Sequence, residues 1–184
     1  MVERVVDQLH KSVSIYDASG VIKEFETDFK TFVDAKDSYA LLCNSGTSAI
    51  HSMFYAIGLM PGDEVLMPVY TFHATASPAM QFGIIPIFCD ALNDGCFDPY
   101  EILRRCTPKT KAVVVTHIWG QPCQMDKICE YAVARNLLVL EDCSHAHGAT
   151  FKGRFAGTFG DAAAWSLQGQ KLITGGEGGI MIFK

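Results

Sequence analysis

No C-x-x-C pair occurs among the seven cysteines, which stand at 43, 89, 96, 106, 123, 129 and 143. An odd, scattered set is neither a secreted disulfide framework nor a zinc pattern. It predicts buried thiols in a reducing compartment, the cytoplasm. No basic run appears, and the formal net charge is −5. Without a cationic excess, a nucleic-acid or anionic-membrane surface is excluded. The N-terminal stretch MVERVVDQLHK is charged and helical in period, which excludes a signal peptide or a membrane span there. Two phosphate-binding signatures are missing as well. No G-K-[ST] follows the first glycine turn, and no G-x-G-x-x-G follows the first apolar run, which disfavours P-loop NTPases and nucleotide dehydrogenases. Internal repeats, linkers and low-complexity segments are absent.

What remains is an apolar chain, 49 % hydrophobic and 19 % charged, a balance that excludes disorder and suits a substantial core. Residues 1–13 read as a helix with Val2, Val5, Val6 and Leu9 on one face. Ser14–Gly20 reads as a loop, and Val21–Ala35 as a second helix striped by Phe25, Phe29 and Phe32. Apolar runs of strand length then recur at Ala40–Cys43, Glu64–Met67, Ile84–Cys89, Ala112–Thr116, Leu137–Leu140, Ala162–Leu167 and Gly179–Phe183. Helical stretches fall between most of them, at Ser48–Ile57, Ala74–Gln81, Pro99–Arg105 and Met125–Arg135. Runs this apolar on both faces predict a mostly parallel seven-stranded sheet between helices, a three-layer α/β/α domain. Residues 1–35 form an N-terminal helical segment in this reading, and residues 36–184 the large domain.

Ligands of such sheets bind outside the carboxyl ends of the strands. Following the runs are Asn44-Ser45-Gly46-Thr47-Ser48, Tyr70-Thr71-Phe72-His73, His117-Ile118-Trp119-Gly120 and Glu141-Asp142-Cys143-Ser144-His145. The sixth run ends in Ser166, with Lys171 beyond it and four glycines at 175, 176, 178 and 179. A lysine among apolar and backbone-permissive neighbours is a candidate for a partly desolvated, nucleophilic amine. Each of the others has two readings. Ser45–Ser48 is a phosphate seat at a helix start or an ordinary N-cap. Asp142 caps a turn or pairs with a cation. Phe72 fills the core or stacks on a flat ligand. His145 and His147 beside Asp142 lack a third-ligand spacing, so no metal is expected. Taken together, a phosphate seat, a stacking ring, a carboxylate and a lysine are what pyridoxal phosphate (PLP) requires.

Ordered blocks carry a resemblance to one family: NSGTSA (44–49), PGDEVLMPVYTFHATASP (61–78), TPKTKAVVVTH (107–117), EDCSHAHGA (141–149), GTFGDAAAWSLQGQK (157–171) and GEGG (176–179). From about Ser14 to Lys184 the chain resembles the sugar aminotransferases of the DegT/DnrJ/StrS family, PLP enzymes of the aspartate-aminotransferase-like fold. The resemblance implies that Thr47 and Ser48 bind the cofactor phosphate, assisted by Ser166. It also implies that Phe72 stacks on the ring, that Asp142 pairs with its nitrogen and that His145 contacts its hydroxyl. Lys171 matches the lysine that forms the internal aldimine and, with Asp142, is the expected catalytic pair. Dehydratase relatives carry histidine in place of that lysine, so its presence favours transamination. The implied reaction moves an amino group from glutamate or glutamine to a keto sugar, often nucleotide-linked, or to a keto-cyclitol. Two alternatives stand beside it: a PLP-dependent dehydratase, and an idle partner subunit of a split enzyme.

The sequence departs from the pattern at Ser144, where many members have alanine, and at Leu172, where many have asparagine. Members also continue past the equivalent of Lys184 into a small domain that is absent here, and they are usually dimers sharing residues between sites. The expectation is a homodimer, a complementary chain supplying the small domain, or both.

Overall fold

The computed structural model describes residues 2–11 and 19–184. The expected loop over 14–20 therefore lies largely outside the described residues. Helix α1 (Val2–Lys11) buries none of its side chains, and its expected apolar face is exposed. Helix α2 (Gly20–Phe32) seats Phe29 in the core, with its ring edge-on to Trp165 at 5.1 Å, while Phe32 stays partly exposed.

Seven strands make one sheet: β1 (Tyr39–Cys43), β2 (Glu64–Pro68), β3 (Ile85–Cys89), β4 (Thr110–Thr116), β5 (Leu138–Asp142), β8 (Ala162–Ser166) and β9 (Gly179–Phe183). Their order across the sheet is β1-β9-β8-β5-β4-β2-β3. The expected strands match these to within two residues at either end. Between β5 and β8 lies a short hairpin that periodicity did not disclose, β6 (Thr150–Phe151) with β7 (Arg154–Phe155). Strand β9 runs antiparallel to both its neighbours, and the other pairings are parallel. A parallel neighbour would need a crossover to the opposite edge of the sheet. Because β9 runs back, the segment 167–178, which contains Lys171, stays at the carboxyl ends of the parallel strands.

Helices cover both faces. On one side α3 (Gly46–Ala56) and α4 (Ser77–Gln81) pack Ile50, Met53, Phe54 and Ala79 against Val65, Met67, Val114, Leu140, Ala162 and Ala164. On the other, α6 (Met125–Ala134) and α5 (Tyr100–Arg105) cover Leu66, Val113, Val115 and Val139. The same side has α2 over Ala163, Trp165, Ile180 and Ile182. The expected helix over 74–81 is split: His73–Thr75 form one 3-10 turn, and α4 begins only at Ser77, with Pro78 in its first turn. Among the described residues, no helix is long and apolar enough to cross a membrane.

Strand alternation places a carboxylate inside the second layer. Glu141, fully buried, lies on the α6 face of β5. Its Oε2 accepts from the His117 ring at 2.9 Å and from the Gly157 amide at 2.8 Å, and Oε1 accepts from the Gly160 amide at 2.6 Å. His117 Nδ1 in turn accepts from the Cys123 amide at 3.0 Å, which leaves the proton on Nε2 and the ring neutral. Burial opposes the carboxylate's charge. The His117 bond and the two glycine amides outweigh it and hold the carboxyl below its ordinary 4.5.

At the start of β9 the chain passes so close to α3 that no side chain fits. A Cβ on Gly179 would stand 2.2 Å from the Ser45 carbonyl oxygen and 2.7 Å from the Gly46 amide nitrogen.

Glu141→Gln is expected to cost about 3 kcal/mol at neutral pH, because it breaks a buried charged network. A depressed carboxyl stabilises the fold above its unfolded value of 4.5, and this contribution is lost as pH falls through the folded value. The deficit between Glu141→Gln and wild type, measured by urea unfolding, should therefore shrink below about pH 4.5. Gly179→Ala should lower stability by about 2–3 kcal/mol in the same assay, since backbone must move on both sides of the new methyl.

Candidate functional site

Five strand ends open onto one cleft of about 640 Å³. Thr116, Asp142 and Ser166 end β4, β5 and β8, adjacent strands, and all three take the α3 side by strand alternation. The cleft is lined by Thr47, Phe72, Asp142, His145, Ser166 and Lys171, six of the seven residues expected there. Ser48, the seventh, is not among them. Its hydroxyl donates to the Asn44 side chain and contacts Ser45 Oγ at 2.9 Å.

The floor is the start of α3. Ser45 caps the helix by accepting from the Ser48 amide at 3.1 Å. The first intrahelical bond runs from the Ala49 amide to the Ser45 carbonyl, so the Gly46 and Thr47 amides precede the helix ladder and suit an anion. Gly46 also abuts β8, where a Cβ would come within 2.6 Å of that of Ser166. Capping and phosphate seating are therefore compatible readings of one segment: Ser45 performs the cap, and Thr47 faces the cleft.

Asp142 is 3 % exposed. Its Oδ1 accepts from the Ser144 amide at 3.0 Å, and Oδ2 accepts from the Thr75 hydroxyl at 2.7 Å. Thr75 Oγ1 lies 2.7 Å from Thr71 Oγ1, which lies 3.0 Å from Thr116 Oγ1. Thr75 was not a candidate in the sequence because it sat inside a presumed helix. The spacing Thr71-x-x-x-Thr75 beside a Pro-containing helix start was the available signal.

Above Asp142 the walls are aromatic. Phe72 is 62 % exposed, and its ring centroid lies 4.2 Å from that of the neighbouring His73. A core role is therefore excluded, and a face is left for stacking. Trp119 takes a left-handed backbone (φ 55°), its ring lies parallel to His145 at 5.2 Å, and its indole N–H donates to Tyr70 at 3.3 Å. The Trp119 amide donates to His145 Nδ1 at 3.3 Å. In the neutral ring that leaves the proton on Nε2. Burial, reinforced by the Lys171 cation and opposed by Asp142, pushes the His145 pKa down and favours that neutral form. His147 is buried outside the cleft lining, and its pKa too is lowered by burial first and by Lys171.

Lys171 is half-buried, in a turn closed by its amide on the Gln168 carbonyl at 2.8 Å. Gln168, Gln170 and Glu177 complete this side of the cleft. Among the described residues, one group of metal-ligand type lies close together, His117, Glu141 and Cys143. It sits behind the sheet, and both oxygens of its carboxylate are already bonded to protein N–H groups. The cleft combines helix-start amides, an aromatic face, a buried carboxylate and an amine. That set can bind a flat, phosphorylated, carbonyl-bearing molecule and attack its carbonyl carbon.

Known proteins resemble this chain in sequence and fold. GDP-perosamine synthase of Escherichia coli O157:H7 is 38 % identical over 178 residues, covering 96 % of this chain and 48 % of the relative. An aminotransferase structure from Psychrobacter cryohalolentis superposes with a TM-score of 0.93 at 38 % identity, covering 99 % of this chain and 46 % of that one. The Streptococcus pneumoniae protein Spr1654 in its PLP form gives a TM-score of 0.89 at 26 % identity, covering 100 % and 50 %. The chain thus spans about half the length of the curated relatives it matches. Since the family model also matches residues 3–184, nearly the whole sequence, the chain belongs to the DegT/DnrJ/EryC1/StrS aminotransferase family.

Proposed function

We propose that this chain is the cofactor-binding portion of a PLP-dependent aminotransferase acting on a keto sugar or keto-cyclitol, with glutamate or glutamine as donor. The observation that carries the reading is the convergence of Thr47, Phe72, Asp142, His145, Ser166 and Lys171 on one cleft from four separate strand ends. The donor set suits the cofactor. The amides at the start of α3, with the Thr47 and Ser166 hydroxyls, match a phosphate dianion. The exposed face of Phe72 matches a pyridine ring, and Asp142, already receiving two hydrogen bonds, remains an acceptor for a protonated ring nitrogen. The family match, the PLP form of Spr1654 and the name of the perosamine relative support cofactor and substrate class alike.

Bound there, PLP supplies an aldehyde that takes up the amino group and a ring that delocalises the electron pair left when an α-proton departs. Asp142 would pair with the ring nitrogen and hold a proton there, an effect strengthened by its low-dielectric wall. Lys171 Nζ is the amine that would hold the aldehyde carbon and, as a free amine, would carry a proton between the donor α-carbon and the cofactor. His145, with its proton on Nε2, would face the ring hydroxyl oxygen as a donor. The exposed aromatic rim of Phe72 and Trp119 needs cover to exclude water. We assign that role to a small domain and a neighbouring subunit, on this polypeptide or a complementary one, with residues 36–184 as the large domain.

After incubation with PLP and reduction with borohydride, peptide mapping should place the pyridoxyl mass on Lys171, and Lys171→Ala should show none. Wild type without an adduct at that residue overturns the assignment. Asp142→Ala should still be trapped, but conversion of bound PLP to its amine form by glutamate should slow by roughly a hundredfold or more.

A further inference from the structure

Asp142 is the end point of a line of hydroxyls reaching it from two other strand ends. Thr75 Oγ1 is 2.7 Å from Asp142 Oδ2, Thr71 Oγ1 is 2.7 Å from Thr75 Oγ1, and Thr116 Oγ1 is 3.0 Å from Thr71 Oγ1. Each hydroxyl has one proton, and an ionised carboxylate can only accept. Thr75 must therefore spend its proton on Asp142, so that its oxygen is free only to accept from Thr71. Thr71, having given its proton, accepts from Thr116. The direction is set throughout: Thr116 to Thr71 to Thr75 to Asp142. Donors aligned head to tail polarise one another, and the last of them carries the summed effect. Thr75 is fully buried and Thr116 nearly so, while Thr71, half-buried, lines the cleft.

We propose that Thr75, Thr71 and Thr116 are positioning residues: a one-way hydroxyl chain that fixes the rotamer of Asp142 and presents it as an acceptor to the cofactor's ring nitrogen. This rests on the PLP reading of the cleft. With Oδ2 held by Thr75 and Oδ1 by the Ser144 amide, the carboxylate cannot rotate without breaking two bonds. Thr75 closes the 3-10 turn His73–Thr75, and Thr71 stands two residues ahead of that turn, so the pair brackets the connection out of β2. It also spans three elements, so the end of β2, the end of β4 and the end of β5 are held in one register by side chains rather than by the strand ladder alone.

The test is equilibrium PLP binding, followed by absorbance, with Thr75→Val, Thr75→Ser, Thr71→Val and the Thr71→Val/Thr75→Val double variant. Thermal midpoints confirm that each variant is folded. Thr75→Val should weaken binding roughly tenfold, the effect of removing a hydrogen bond to a charged group. Thr75→Ser, which restores the hydroxyl, should stay within about twofold of wild type. Thr71→Val should have a smaller effect, about threefold, and the double variant should bind no worse than Thr75→Val, because every contribution passes through Thr75. The pH dependence of the visible band should shift in Thr75→Val and return in Thr75→Ser, which a purely structural loss would not produce. Effects of Thr71 and Thr75 that add, or Val and Ser variants that bind alike, overturn the chain while leaving the cofactor reading intact. Wild type that takes up no PLP overturns the cofactor reading, and the chain's role falls with it.

Discussion

A carboxylate sealed from water organises this domain. Glu141 has no exposed surface, and a charge in that position is tolerated only because N–H groups surround it. Its three partners come from different places: His117 beyond the end of β4, and Gly157 and Gly160 on the approach to β8. The ring of His117 is itself held by the Cys123 amide. The ends of β4 and β5 and the segment leading into β8 are thereby tied together from behind. The next residue of β5, Asp142, faces the other way because side chains alternate along a strand. One residue secures the sheet edge and its neighbour works on it. A register slip of a single residue would exchange the two roles, which is why the rear network has to be rigid.

Much of this was legible in the chain. Seven apolar runs read as strands covered on both sides, which holds for the interior strands and not for β1 and β3 at the sheet edges, and the residues that followed them were rich in hydroxyls, rings and charges. Placing those residues together required only the rule that ligands meet the carboxyl ends. The direction of β9 was less accessible, because a strand's composition does not encode which way it runs. The two-residue strands β6 and β7 are too short for any period to register. Thr75 was hidden by a 3-10 turn that continues into α4. Ser48 is expected at the cofactor phosphate through the family resemblance, and in the structure its hydroxyl donates to Asn44 and contacts Ser45. The Glu141–His117 contact joins residues 24 apart and had no local signature at all.

The electrostatics of the cleft divide between a front and a back. On the front, the Lys171 cation and burial both act to keep His145 neutral. The Trp119 amide then selects which nitrogen holds its proton. A left-handed tryptophan is an expensive backbone state for a bulky residue, and here it directs an amide at an imidazole. Rear and front networks meet at His117–Trp119, where one short segment supplies the buried ring to Glu141 and the exposed ring to His145.

The floor of the cleft has a different character from its walls. Where Gly46 meets the Ser166 Cβ and Gly179 meets the Ser45 main chain, there is no room for a methyl group. A binding surface built from peptide amides offers evolution little to vary, since exchanging side chains leaves the amides where they are. The walls have no such protection: Phe72, Trp119, Gln168, Gln170 and Glu177 all reach the cleft through side chains. Diversification of such a scaffold is therefore confined to its upper storey, and enzymes descended from it can change what they act on while inheriting the foundation unaltered.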